Sequence, residues 1–453
     1  MALKDSRISH PPTHLQRGST SSVLEAPSKS LGLPLILLII YVVMDYARPA
    51  DPMDIPFLIS IILFISWLLL KKKLWTPQIV CFFLLLATIA AMGPFAINTF
   101  AIWWGFRAMA VQLLCICIPM IHHINSPRKT RIFIYALISV FAYLAVYGLL
   151  HAGTGPGGFV GDENDLALAL NTAIPFAYVS FLLSRRLLNK ALFGASTLLI
   201  ILAVVATFSR GGFLGLIPVL LYCYLLSPNK VFTTIVAACV ALALSAVTPE
   251  KYGMSYSQRL SSMVAETTGE QEGTGALRKQ HWAIARRMFY DNPILGVGFK
   301  NYNWNIPSYQ TEQQYETLGR SLAGFAAHSL YFTVLAELGA AGVLIFAAIL
   351  WYNYKDIRWI IRHAGTITAS RKYPSNSKNR LMKQAPFDDM TYARYYAHAI
   401  CAAFLGYLVS GIFLSVFDYP HFWFLTALLG GLKQTTASLP NPPLVQLEAS
   451  GEI

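Results

Sequence analysis

The chain has 453 residues, of which 55% are hydrophobic and only 13% charged, with a net charge of +13. Soluble domains carry roughly a quarter charged residues, so this composition, with a mean hydropathy of +0.50, excludes an ordinary soluble enzyme. The positive charge does not mark a nucleic-acid binder either, because Lys and Arg are scattered over short segments between apolar runs rather than gathered in one patch.

Residues 1–30 are polar and rich in Ser, Pro and His, which predicts a disordered tail. This stretch is too long for the basic region of a cleavable signal, so the apolar run after it reads as an uncleaved first span. A bilayer core needs about 20 mostly apolar residues per helix, and twelve candidate spans follow. The first six are Leu31–Tyr46, Ile55–Leu70, Thr76–Ala91, Ala101–Ile121, Ile132–Leu150 and Asp165–Leu183. The other six are Ala191–Phe208, Gly212–Leu226, Val231–Val247, Ser329–Trp351, Tyr395–Phe417 and Tyr419–Leu432. The predicted fold is an all-α polytopic membrane protein. Nine spans occupy 31–247, a long hydrophilic loop 248–327, a tenth span 328–351, a basic loop 352–394, two spans 395–433 and a tail 434–453. The six cysteines (Cys81, Cys115, Cys117, Cys223, Cys239 and Cys401) all fall in apolar runs and read as small core- or lipid-facing residues.

Positive residues favour the cytoplasmic side of a membrane protein. With the N-terminus inside, the cytoplasmic segments hold 24 of the 35 Lys and Arg residues, and the short outer loops hold only Arg48. Both termini are therefore expected in the cytoplasm, and the basic segments are expected to attract anionic membrane lipids. The 248–327 loop falls outside. Within it, Gly275–Tyr290 has the spacing of an amphipathic helix with Leu277, Trp282, Ala285 and Phe289 on one side. Asp291–Asn292–Pro293 ends that helix, and Gly296 and Gly298 mark tight backbone. An ordered loop of this length is usually functional.

Several residues at the outer boundary carry candidate chemistry. In Thr207–Phe208–Ser209–Arg210–Gly211–Gly212–Phe213, Ser209 can cap the eighth span, Gly211 and Gly212 allow close approach to the backbone, and Arg210 offers a fork suited to phosphate. Together with the helix dipole these make an anion site; the plain alternative is an arginine reaching to lipid headgroups. Arg107 lies a turn inward of Trp103 and Trp104, and both a ligand role and simple snorkelling fit it. His328 opens the tenth span and can accept a proton near neutral pH, although an interfacial histidine needs no such role. Arg278 begins the amphipathic helix, with Arg259, Arg286 and Arg287 near it in sequence. Asp162, Glu163 and Asp165 can hold a divalent metal or simply form a solvated helix start, and the second reading is favoured. No phosphate-binding loop, dinucleotide fingerprint or zinc spacing occurs.

Four stretches in this order resemble the O-antigen ligase and polymerase superfamily of bacterial envelope enzymes. They are Gly161–Asp162–Glu163–Asn164–Asp165–Leu166–Ala167, Phe208–Ser209–Arg210–Gly211–Gly212, Arg278 through Trp282 to Gly298, and Ala327–His328–Ser329–Leu330–Tyr331 with Glu337–Leu338–Gly339. The resemblance implies a glycosyltransferase-C-like membrane fold in the bacterial inner membrane, with its long loop and active site in the periplasm. It also implies transfer of a glycan from an undecaprenyl-pyrophosphate-linked donor to an acceptor, a lipid A-core sugar for a ligase. For a polymerase the acceptor is another carrier-linked repeat, and for a protein O-oligosaccharyltransferase a protein hydroxyl. By the same resemblance His328 is the catalytic histidine, Arg210 the membrane-edge arginine and Arg278, or alternatively Arg259, the loop arginine for pyrophosphate. No cofactor, metal or nucleic acid is implied. A single dominant outer loop and no large C-terminal soluble domain favour the ligase. The rival outside catalysis is a lipid-linked glycan transporter, but neither inverted repeats nor paired interrupted spans are apparent; an envelope receptor or scaffold is the remaining class.

Overall fold

The computed structural model describes residues 31–49, 53–231, 233, 234, 238, 274–370 and 388–439. Arg259, Cys239, most of the ninth expected span and the segment 371–387 lie outside the described residues. Among those described, the chain from Gly32 onward is helical, without strands. The helices are α1 (Leu33–Ala47), α2 (Ile55–Leu68), α3 (Pro77–Met92), α4 (Thr99–Ala110), α5 (Ile118–His123), α6 (Pro127–Leu150), α7 (Glu163–Leu183) and α8 (Leu187–Ala206). They continue with α9 (Arg210–Leu226), α10 (Thr274–Asp291), α11 (Tyr302–Tyr309), α12 (Glu312–Leu318), α13 (Leu330–Ser370), α14 (Asp389–Ser410) and α15 (Pro420–Ala437).

Local chemistry fixes many of the starts. Thr76 and Ser126 cap α3 and α6 ahead of Pro77 and Pro127, while Asp162, Ser209 and Asp388 cap α7, α9 and α14. Each cap side chain accepts a hydrogen bond from a first-turn amide that would otherwise lack a partner. Seven helical segments are long and apolar enough to cross a bilayer, and α1, α2 and α9 are shorter apolar helices. Exposed Leu58, Ile62, Ile217, Leu221 and Leu225 on α2 and α9 would be costly in water and suit contact with lipid. The chain is therefore a polytopic helical membrane protein. The expected twelve spans are not all found by this measure among the described residues. Several helices are short, and Val231–Val247 is largely outside the described part.

The centre of the bundle is α7, α14 and α15, whose side chains are mostly buried, with α8 peripheral. α9 crosses α14 at close range because Gly215 and Gly406 face it: a Cβ on Gly215 would fall 2.0 Å from Ser410 Oγ, and one on Gly406 2.5 Å from a Val219 methyl. Two departures from the sequence reading matter. The fourth expected span is α4 and α5 joined by a π-helical stretch, Val111–Cys117. The tenth runs on to Ser370, so much of the expected 352–394 loop is helix. In that extension Arg358 donates to Tyr354 Oη at 2.7 Å and Trp359 stacks on His363 at 4.8 Å, the i, i+4 contacts that favour a helix.

Hydrogen bonds and ion pairs separate two ends of the bundle. At one end Arg131 pairs with Asp389 at 2.6 Å, Lys433 pairs with Asp356, and Gln78 donates to Asp356 at 2.8 Å. This basic end also carries Lys71–Lys73, Arg185 and Arg186. The segments 151–162, 207–210, 278–330 and 411–420 meet at the other, which we call the site end.

Candidate functional site

The described part of the long loop, from 274 onward, is anchored by its contact with a break in α13. Gly339 has φ 58° and ψ −157°, which interrupts the helix and leaves groups on either side without helical partners. The segment after α10 supplies them. Val297 and Gly298 amides donate to Ala336 O and Glu337 O at 2.9 and 3.0 Å, and Ala340 and Ala341 amides donate to Pro293 O and Ile294 O at 2.8 and 3.0 Å. A Cβ on Gly339 would lie 2.6 Å from Gly296 N, and one on Gly296 would lie 2.5 Å from Ala336 O. Two glycines thus permit the backbones to touch. The Glu337 carboxylate, buried beneath them, accepts the Lys300 and Tyr302 amides at 3.0 and 3.1 Å, and Lys300 Nζ reaches Asp418 at 2.7 Å.

This anchorage fixes α10. Its buried face is His281, Ile284, Ala285 and Met288, which pack with Tyr302, Ile306, Leu322 and Ala327. The apolar stripe is turned slightly from the expected one: Ala285 is at its centre, whereas Trp282 lies at its edge, stacked on Phe332 at 5.0 Å. Arg278 is one turn before His281, and its guanidinium lies 5.5 Å from the centre of the Phe413 ring.

His328 sits just before α13 in the left-handed region, with φ 50°. For a residue other than glycine this conformation is strained and must be held by its surroundings. Ser329 and Thr333 are held by Ser415, at 3.4 and 2.8 Å. The His328 imidazole meets that of His281 edge to face, with centroids 5.9 Å apart. Burial, then the positive charge of Arg278, lower the His328 pKa from its ordinary value, while the Asp162 carboxylate opposes them. His281 is lowered further, to about 4, chiefly by burial and then by His328 and Arg320. Tyr302 Oη donates to His281 O at 3.0 Å and lies 3.1 Å from His281 Nδ1. Since the phenol has one proton, Nδ1 is the donor in that second contact, which leaves Nε2 as the lone-pair nitrogen of the neutral ring.

The two remaining stretches adjoin this pair. Asp162 caps α7 through the Asn164 and Asp165 amides at 2.7 and 2.8 Å, and Ser209 Oγ, which accepts the Gly212 amide at 3.0 Å, donates to Asn164 Oδ1 at 2.7 Å. Asn171 donates to Gly212 O at 2.7 Å. Arg210 therefore opens α9 directly beside the start of α7. Gly211 lies against Phe413, the ring that Arg278 covers, whereas a Cβ on Gly212 would fall 2.3 Å from that of Ala167. The close approach that Gly212 permits is thus that of α7. Asp165 accepts from Tyr419 Oη at 2.9 Å, and no group of three or more metal-ligating side chains occurs among the described residues.

Arg210, Arg278, Asp162 and His328 are accordingly gathered together, whereas Arg107, at the same end, lies outside that group. Its guanidinium lies over Phe57 and Trp104, at 5.1 and 5.2 Å, and lines an adjoining cavity. The sequence reading overlooked His281, although its place one turn after Arg278 on an amphipathic helix was a usable signal. It also overlooked the Lys300–Asp418 and Tyr419–Asp165 contacts, whose partners are more than a hundred residues apart.

Fold and site define a polytopic membrane protein whose long loop is docked on a broken helix beside two capped helix starts. Residues 195–347, about a third of the chain, match the family model described as O-antigen ligase. The match includes Arg210, Arg278 and His328. A search of curated proteins finds no match.

Proposed function

We propose that the protein is an O-antigen ligase-like glycosyltransferase that moves a glycan from undecaprenyl pyrophosphate to a hydroxyl of an acceptor, a lipid A-core sugar, at the periplasmic face of the bacterial inner membrane. The observation that carries this reading is the convergence of His328, Arg278 and the Arg210 start of α9, with Phe413 lying against both Arg278 and Gly211. Neutral His328 takes the acceptor hydroxyl proton as that oxygen attacks the anomeric carbon. The bond from that carbon to the pyrophosphate oxygen breaks, and undecaprenyl pyrophosphate leaves with the electron pair. A sugar hydroxyl is too weak an acid to ionise beforehand, so transfer of its proton belongs to the transition state. Arg210 and Arg278 stabilise the negative charge growing on the leaving group. The acceptor attacks from the face opposite the leaving group, with inversion.

The lowered pKa of His328 fits a base, because the ring stays unprotonated at neutral pH. No metal enters the scheme: the two arginines supply the positive charge. Loop parity and the basic end support a cytoplasmic position for both termini, with the site end outward. Purified protein given labelled lipid-linked glycan and lipid A-core tests the assignment. His328→Ala and Arg278→Ala should each lose transfer while still folding; wild-type rates in both would end it. Transfer to a second carrier-linked repeat in place of lipid A-core would instead identify a polymerase.

A further inference from the structure

A cavity of about 490 Å³ opens at the site end among α1, α2, α4 and the segments 158–159 and 418–420. Its size lies within the roughly 300–1,000 Å³ typical of small-ligand sites. Arg48 lies over the Phe159 ring at 5.0 Å, beside Gly158, where any Cβ would strike the guanidinium at 1.9 Å. Arg107 is held in the same way between Phe57 and Trp104. Part of the wall is the start of the π-helical stretch, a wide turn often kept where a site needs it. There Gln112 lines the cavity, and its buried Nε2 has no hydrogen-bond partner. A buried amide donor left unpaired is costly, and a turn of the Gln112 carboxamide toward the cavity, where a ligand acceptor can meet it, would recover the loss.

The wall chemistry selects among occupants. A phosphate would want surplus positive charge, but Asp45 and Asp54 line the cavity along with Arg48 and Arg107. A lipid tail would use none of these groups. A sugar ring uses all of them, since each hydroxyl both donates and accepts and the ring's C–H face lies against aromatic planes. The cavity also shares walls with the site already described. Tyr419 and Asp418 line it, and these two residues bond to Asp165 and Lys300.

We infer that this cavity is a saccharide subsite, which holds a neutral sugar ring of one of the two glycan substrates beside the transfer site. The identity of its occupant rests on the glycosyl-transfer reading; its chemistry does not. The test is equilibrium binding to the full-length protein in nanodiscs, with tritium-labelled saccharides released by mild acid from the producing cell's envelope as the probe. His328→Ala should bind them as wild type does, whereas Gln112→Leu and Phe159→Ala should each bind about tenfold more weakly, or worse. In the transfer assay the same two variants should raise one KM about tenfold and leave kcat within about threefold. Movement of the acceptor KM would make the ring the acceptor's, and movement of the donor KM the donor's. Absence of saturable binding, displacement by inorganic phosphate, or wild-type binding in both folded variants would overturn the subsite. Saccharide binding without any transfer would sink the catalytic reading and leave the subsite standing, while transfer with unchanged binding and KM values would do the reverse.

Discussion

The two ends of the bundle are built to different standards. Six residues other than glycine adopt positive φ among those described: Arg48, Asp54, Ala152, Phe208, Lys300 and His328. All six lie in site-end connections. Each such residue costs on the order of 1–3 kcal/mol and persists only where its neighbours over-determine it. At the basic end, helices start at ordinary caps, and ion pairs tie neighbouring helices together. Strain is therefore concentrated in the connections at the site end, while the far end is held by capped starts and ion pairs, one of them exposed and one made on the buried Asp356 carboxylate. Substitutions at the site end should accordingly act on transfer and loop docking, and those at the basic end should do little to either.

The largest contrast should come from histidine and lysine. A general base in the transition state is typically worth about 100- to 10,000-fold, so His328→Ala should reduce transfer by that order. Lys433→Ala, at the far end, leaves the buried Asp356 unpaired and so costs stability, but the transfer rate of its folded fraction should stay close to wild type. Equal losses in the two variants would erase the distinction between the ends. A smaller but structural effect is expected at the helix break. Gly339→Ala places a Cβ 2.6 Å from Gly296 N at φ 58°, so it must push the 293–298 segment off α13 or leave the left-handed region. A cost of about 1–3 kcal/mol is expected, read as faster proteolysis between Asn292 and Ser329 with the membrane helices intact. Unchanged cleavage would show that the loop does not depend on the break.

How much of this was legible in the sequence follows the same division. Span positions were readable because apolar runs report burial directly; α2, α6, α7 and α9 begin within about five residues of the expected starts. The π-helical stretch was invisible, since Val111–Cys117 is as apolar as its flanks and its hydrogen-bond register leaves no mark in composition. The continuation of α13 to Ser370 was hidden because basic residues outside a span read as loop, whereas their i, i+4 spacing carries the helix. At the site, Arg210, Arg278 and His328 stood out as charges or titratable groups at span boundaries. Glu337 and Asp418 did not, because their partners come from the 298–302 segment, a pairing that depends on the break at Gly339.

Acidification should separate the ends more gently. The His281 pKa falls from an ordinary 6.5 to about 4 in the folded protein. Between those values the undocked helix binds more protons than the docked one, so docking of α10 is favoured above 6.5 and weakens as pH falls toward 4. His281→Phe removes that dependence. Hydrogen exchange in 274–291 should rise on acidification in the wild type and stay flatter in the variant, with α3 and α6 unaffected in both. An equal rise in the variant would assign the effect to other groups.

The smallest expected effect lies at the basic end. Arg131 and Asp389 form a short pair at 2.6 Å, but their side chains are 28% and 43% exposed. Solvent screens such a pair, so Arg131→Ala should cost no more than about 1 kcal/mol. Part of that loss is not ionic: the guanidinium also lies 4.7 Å from the Tyr392 ring centre, and Arg131→Lys keeps charge while losing the flat stacking surface. If Arg131→Lys melts with wild type and the deficit of Arg131→Ala disappears in high salt, charge rather than stacking holds α6 to α14; a deficit in both variants that survives high salt assigns it to stacking. A loss of several kcal/mol in Arg131→Ala would mean that the basic end is as tightly determined as the site end, and the contrast between them would fail.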